Sequence, residues 1–298
     1  MGFISIKELF DFWNQLLFSQ QSTLTISVLR VLTGILVIVE TLVWQGGNKK
    51  LISHDGWFGT DQYQKSRHRF SLLNYLPKTK YSLNAIFAVQ LIAALFLLVG
   101  FGPNIAALVC FITLVSVHNR NIYVLSSGDT VYRFFCLFLI FAPLNTQLSL
   151  FDFYNFSNSE ALGWPWVLIM FQLFMANIYL KNVLFKLLGE CWRDGTATDK
   201  VLHVRIWNRF ELPKVLDKNW FFKLTTYFTI LVETAMFSLI WVEELRLPVL
   251  VAGVVLHLGL WIFLKFGFFQ LTMIFGLTAF IKPEEFEWFF DWILEASK

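Results

Sequence analysis

The stretch "WPWVLIMFQLFMANIYLKNVLFKL", residues 164–187, decides the fold. As a helix it is long enough to cross the roughly 30 Å of hydrocarbon in a bilayer. Yet it carries Gln172, Asn177, Lys181, Asn182 and Lys186. At about 100° per residue, Gln172, Tyr179 and Lys186 fall within about 40° of one another, and Asn182 lies about 40° further round. Lys181 and Asn177 point to the opposite side. A polar turn with Trp192, Arg193, Asp194 and Gly195 follows at once. A lysine in this position is either an anchor snorkelling to the interface or a base poised at the edge of the hydrocarbon. Helical phase assigns Lys186 to the polar stripe, and a stripe of that kind faces a pocket.

Composition agrees with a membrane chain. Hydrophobic residues make up 56% and charged residues 15%, with a mean hydropathy of +0.59, which excludes an ordinary soluble domain. Apolar runs near 23–44, 81–101, 104–121, 129–144, 164–187, 220–242, 247–264 and 266–282 read as spans. The last two form one run with a reversal or kink at Lys265 and Gly267, so the expectation is an all-α bundle of seven or eight transmembrane helices. Residues 1–21 place Phe3, Ile6, Phe10, Trp13 and Leu17 on one face. They read as an amphipathic interfacial helix rather than a signal peptide. Residues 22–282 form the bundle. Residues 283–298, "PEEFEWFFDWILEASK", form a second amphipathic segment started by Pro283.

Cys110 and Cys136 fall inside spans, and with Cys191 they form no C-x-x-C pair, so inert thiols are expected. No zinc-ligand spacing, phosphate loop or nucleophile elbow occurs, and no metal is expected. The loop "HDGWFGTDQ", 54–62, reads as a lid over a pocket. Counting Lys and Arg in loops puts 45–80, 120–128 and 188–219 on one side, with more than half of the chain's 24 basic residues, and that side is expected to be cytoplasmic.

Charged groups inside spans are costly and face partners or cavities. Toward the basic side lie Glu40, His118 with Arg120, Asp129 with Arg133, and the two lysines. Asp129 suits a helix cap and, four residues before Arg133, an ion pair. His257 sits mid-span, where a hydrogen bond to a neighbouring helix is the expected role. Pairing it with His118 on a haem is disfavoured by depth.

Several short motifs in order resemble the horizontally transferred transmembrane (HTTM) family, which includes the vitamin K-dependent gamma-carboxylase. They are Arg30, the "DG" of Asp55 and Gly56, "HNRNIYVLSSGDTVYRFFCLFLIFAP" at 118–143, "KNVLFKLLGECWRDGTA" at 181–197 and "HLGLWIFLKFGFFQLTMI" at 257–274. The resemblance implies a reduced quinone, vitamin K-like, as cofactor. Lys186, ahead of Trp192, would be the base that deprotonates it, and His118 or Arg120 would stand where the family has a catalytic histidine. Gln172, Tyr179, Asn182, Asp129, Arg133, Trp192 and His257 are the expected cofactor contacts. The family's catalytic face is lumenal, opposite to the side that the basic loops indicate. The carboxylase also has a large C-terminal region for its peptide substrate, whereas this sequence ends at Lys298.

Two functions follow. One is a multi-pass enzyme of the cell membrane that modifies a peptide or lipid. The other is a non-enzymatic subunit, lipid-binding scaffold or peptide-maturation or immunity partner. Expected partners are membrane lipids, a peptide or small-molecule substrate and a partner protein, with no nucleic acid. A transporter lacks the internal inverted repeat that would support it.

Overall fold

The structure, a computed structural model, describes residues 5–53, 56–57, 69–144, 147–149 and 161–296. Among these it is all-α apart from one two-residue antiparallel pairing, β1 (Gln21–Ser22) with β2 (Leu162–Gly163), and an isolated antiparallel bridge between Asn208 and Leu264. The chain forms two compact units, Met1–Ile169 with Lys282–Lys298, and Met170–Ile281.

The first unit opens with α1 (Ile6–Phe18), closed at its start by a reciprocal capping box between Ser5 and Glu8. Ile6, Phe10 and Trp13 are all exposed, as an interfacial helix requires. Then come α2 (Leu24–Val43), α3 (Lys80–Val99), α4 (Pro103–His118) and α5 (Ser127–Leu139). Each packs on the next, and α2 also meets α5. Gly34 lets α2 approach α3 closely: a Cβ there would lie 3.0 Å from the backbone nitrogen of Leu98. Gln90 ties the same two helices by donating from Nε2 to Thr41 Oγ1 at 2.8 Å.

Arg30 is 1% exposed on α2 and reads the end of α3. Its Nη1 donates to the carbonyls of Leu97 and Leu98, and its Nη2 to those of Gln147 (3.1 Å) and Leu148 (2.8 Å). The last carbonyls of a helix have no partner within it, so a buried guanidinium supplies both the donors and the charge that the helix dipole favours. Gly100, in the left-handed region at φ 74, gives the guanidinium room: a Cβ would sit 3.1 Å from Arg30 Cζ. The final helix, α12 (Pro283–Ala296), starts at Pro283 with Glu284 and Glu285 in its first turn, as read from the sequence, and it packs on α2.

The second unit holds most of α6 (Trp166–Leu188), the short α7 (Glu190–Arg193) and α8 (Ala197–Leu202), then α9 (Asn219–Ser238), α10 (Glu243–Phe263) and α11 (Phe269–Leu277). The run 247–282 does reverse where expected: α10 stops at Phe263, and Gly267 adopts φ 59 before α11 begins. Arg209 caps α10 as Arg30 caps α3, donating from Nε to the carbonyls of Trp261 (2.8 Å) and Leu264 (3.1 Å).

Among the described residues, five helical segments are long and apolar enough to cross a membrane: Leu24–Leu51, Lys80–Val99, Trp166–Leu188, Asn219–Trp241 and Glu243–Phe263. Pro103–His118 and Phe269–Phe280 are apolar but shorter. The first span runs on beyond its expected end through a π turn (Trp44–Asn48) and a 3-10 turn (Lys49–Leu51). The expected span 129–144 is shorter than read, because its helix covers only Ser127–Leu139.

Candidate functional site

Lys186 lies in the last turn of α6, and its partners come from α9 and α7. Its Nζ is 2.5 Å from Glu233 Oε1 on α9, with side-chain exposures of 18% for the lysine and 7% for the glutamate. The Trp192 ring lies 4.6 Å from Nζ, centroid to nitrogen, close enough for a cation–π contact. That ring comes from α7, so the polar turn after α6 folds back over the lysine. The turn is fixed to α9 in two places. Tyr227 donates to the Arg193 carbonyl at 3.0 Å, and Thr198 Oγ1 donates to the Phe222 carbonyl at 2.7 Å. Gly195, at φ 81, makes the tight passage between them. The first half of α9 therefore extends past the end of α6, and this brings Glu233, fifteen residues into α9, level with Lys186.

The rest of the stripe also faces the protein. Gln172 Nε2 donates to the Ala279 carbonyl at 2.9 Å. Tyr179 is 1% exposed and bonds His257 Nε2 at 2.9 Å, while His257 Nδ1 meets Gln270 Oε1 at 2.5 Å. Since Gln270 accepts through its oxygen, His257 carries its proton on Nδ1 and accepts from the Tyr179 hydroxyl. This is the helix-to-helix bond expected of His257. Asn182 is half-buried one turn before Lys186, whereas Asn177 and Lys181 are exposed, on the opposite face as the phase requires.

Beside this site lies an apolar cavity of about 220 Å³, lined chiefly by Phe221, Phe228, Leu256, Leu260 and Phe263, with Thr225 and Thr229 along one edge. Thr225, Thr229 and Glu233 are successive i, i+4 positions of α9, so the edge of the cavity leads along the helix to the carboxylate.

His118, Arg120, Asp129 and Arg133 belong to the first unit and form a separate cluster. His118 Nε2 is 2.5 Å from Glu40 Oε1, both buried. Tyr132 donates to Asp129 Oδ1 at 3.0 Å and lies 3.3 Å from His118 Nε2. Asp129 caps α5 as expected, in a capping box with Ser126. The expected pairing of Asp129 with Arg133 is not formed: Arg133 donates to Thr130 Oγ1 at 3.1 Å, because the carboxylate is already taken by the cap and by Tyr132. Arg120 donates from Nε to the Ile52 carbonyl at 3.2 Å, so it braces the loop after α2. Most of the 54–62 stretch read as a lid, Asp55 included, lies outside the described residues; Trp57 within it is exposed.

The loop between α8 and α9 holds a titrating group. His203 Nδ1 donates to the Asp199 carbonyl at 2.9 Å, and Asp199 and Asp217 carboxylates lie 2.9 and 3.4 Å from its two nitrogens. The carbonyl bond first, and then the carboxylates, raise its pKa above the ordinary histidine value, while burial opposes them. A raised folded pKa means stabilisation that is complete below the unfolded value and lost as pH rises through the folded one. His203→Gln is therefore expected to lower the thermal midpoint at pH 5.5 and to leave it unchanged at pH 9. The effect is below about 1 kcal/mol, because the groups are exposed. Equal shifts at both pH values would refute the assignment.

Comparison of the chain with family models, with characterised proteins and with solved structures gives no match. Two functional candidates, Glu233 and Glu40, were visible in the sequence as carboxylates inside spans but carried no signal of their partners. A buried carboxylate demands a cation or a proton, and that argument alone would have searched for the pair to Lys186.

Proposed function

We propose that the chain is a multi-pass enzyme of the cell membrane with seven or eight crossings. It belongs with HTTM-type proteins such as the vitamin K-dependent gamma-carboxylase and uses a reduced quinone to act on a peptide or lipid. The observation that carries the reading is the Lys186–Glu233 pair, buried but reachable, beneath the Trp192 ring. The two shorter apolar helices, Pro103–His118 and Phe269–Phe280, together with Ser127–Leu139, are the segments this reading takes as the crossings beyond the five long ones, although each is shorter than a perpendicular span of about 20 residues.

The residues of this site fit a quinol. Lys186 and Glu233 offer a proton acceptor for its hydroxyl, Trp192 offers a flat aromatic face, and Asn182 adds an amide one turn away. The apolar cavity is smaller than the roughly 300–1,000 Å³ of a complete ligand pocket, which suits a segment of an isoprenoid tail. When bound, a reduced quinone supplies, with dioxygen, a base strong enough to deprotonate a carbon acid. The protein's own part is to hold and move a proton. Transfer from Lys186 Nζ to Glu233 Oε1 leaves the neutral amine that a base requires, and Trp192 shields the pair from bulk water. Tyr179, His257 and Gln172 fix the helices that set this geometry.

The test is dioxygen uptake by the purified full chain with reduced menaquinone, measured above the rate of spontaneous oxidation. Wild type is expected to exceed Lys186→Ala by at least about 100-fold, the usual scale of general base catalysis. Equal rates would overturn the reading. They would favour instead a non-enzymatic membrane subunit, lipid-binding scaffold or peptide-maturation partner, for which a specific observation also speaks. Gln172, Tyr179 and Lys186 each find a partner on another helix, as helix association alone would require.

A further inference from the structure

The first unit holds a second set of converging groups that this function does not use. Glu40 on α2, His118 at the end of α4 and Asp129 in the first turn of α5 each offer one ligand atom, all within 4.8 Å of one another. Three helices thus deliver two carboxylates and an imidazole to one point. Tyr132, one turn after Asp129, adds a phenol oxygen 3.3 Å from His118 Nε2 and 3.0 Å from Asp129 Oδ1. The cluster is dry: Glu40 is 3% exposed, His118 0% and Tyr132 1%.

Hydrogen bonding inside the cluster is incomplete. Glu40 Oε1 meets His118, but Glu40 Oε2 is buried and finds no hydrogen-bond partner among the described residues. Leaving an ionised oxygen unsatisfied in a buried site costs several kcal/mol. One proton on His118 neutralises one carboxylate, and the other remains. A dication neutralises both carboxylates and gives Glu40 Oε2 a partner.

We propose that Glu40, His118 and Asp129 bind one first-row divalent metal ion, with Tyr132 as the adjoining oxygen donor. One imidazole with carboxylate oxygens suits Zn²⁺, Mn²⁺ or Fe²⁺ and not a soft thiophilic ion. Donors about 2.0–2.2 Å from such an ion stand about 3.3 Å apart. The ion therefore needs the Glu40–His118 contact to open by about 1 Å and the wider donor pairs to close by up to about 1.5 Å, side-chain adjustments within the three helices. The site is in the unit that does not contain Lys186, so its test is separate from that of the quinol reading.

The experiment is metal analysis of the full chain, chelator-stripped in detergent, loaded with Zn²⁺ and then desalted, with thermal midpoints measured in parallel. Wild type is expected to keep one equivalent, and Zn²⁺ at a hundredfold excess over its Kd is expected to raise the midpoint by about 4 °C. Glu40→Gln, which keeps the shape, and His118→Ala are both expected to lose the ion and the shift. Asp129 is left unchanged because it caps α5. His203→Gln removes the exposed histidine and is expected to retain the equivalent. No retained metal in wild type, retention in Glu40→Gln, or loss in His203→Gln would each overturn the proposal. If His118→Ala does not fold, Glu40→Gln and Tyr132→Phe decide: the first is expected to lose the ion and the second to weaken binding at least tenfold. Unchanged affinity in either would overturn it.

Discussion

Lys186→Ala is expected to destabilise the protein by about 3–5 kcal/mol, the cost of leaving one member of a buried ion pair without the other. Glu233 is 7% exposed and lies deep within α9, so its carboxylate stays largely desolvated once the ammonium is gone. Glu233→Gln is expected to cost less. Lys186 is 18% exposed and near the end of α6, and its long stem lets the ammonium move to the interface. Replacing both partners by apolar residues, Lys186→Met with Glu233→Leu, is expected to recover most of the loss, because neither desolvated charge remains. The measurement is a double-mutant cycle of Lys186→Met, Glu233→Leu and the two combined, read as thermal midpoints in detergent. Additive losses in the double variant would show that the two side chains do not interact.

Arg30→Met carries the second large effect, about 3–5 kcal/mol. Its guanidinium donates to four carbonyls, two of them at the end of α3, and each buried acceptor left unmade costs about 1–3 kcal/mol before relaxation. Leu148, one of those acceptors, holds φ 58, a left-handed conformation that a leucine does not favour. Arg30 therefore also pins a strained loop onto the end of the helix. Arg30→Lys is expected to recover only a minor part, since an ammonium lacks the planar fork that reaches two pairs of carbonyls at once. Limited proteolysis is expected to cut Arg30→Met near residues 147–149 faster than wild type. A stability within about 1 kcal/mol of wild type, with unchanged cleavage, would contradict this role.

Much of this arrangement was legible in the sequence because it is local. The helical repeat separated Lys186 from Lys181, and the structure half-buries the first and exposes the second. The reversal at Gly267 and the start of α12 at Pro283 follow from backbone chemistry that one residue can signal. What was not legible is non-local. Glu233 is 47 residues from Lys186, and nothing in either segment specifies the other. Asp129 misled for a related reason. Its spacing to Arg133 fits an ion pair, but the Ser126 cap and the Tyr132 hydroxyl reach it first. Arg30 stood out as an arginine in hydrocarbon, yet that it caps another helix depended on how α2 and α3 pack.

The central claim is that the Lys186–Glu233 pair serves chemistry on a lipidic quinol and not only helix association. The Lys186→Met/Glu233→Leu double variant separates the two, since it restores packing while removing every proton-transferring group of the pair. The direct measurement is mass spectrometry of the lipids and quinones that co-purify with it and with wild type. The expected result is a quinone retained by wild type and lost from an equally stable double variant. The same quinone content in both, or none in wild type, would contradict the claim.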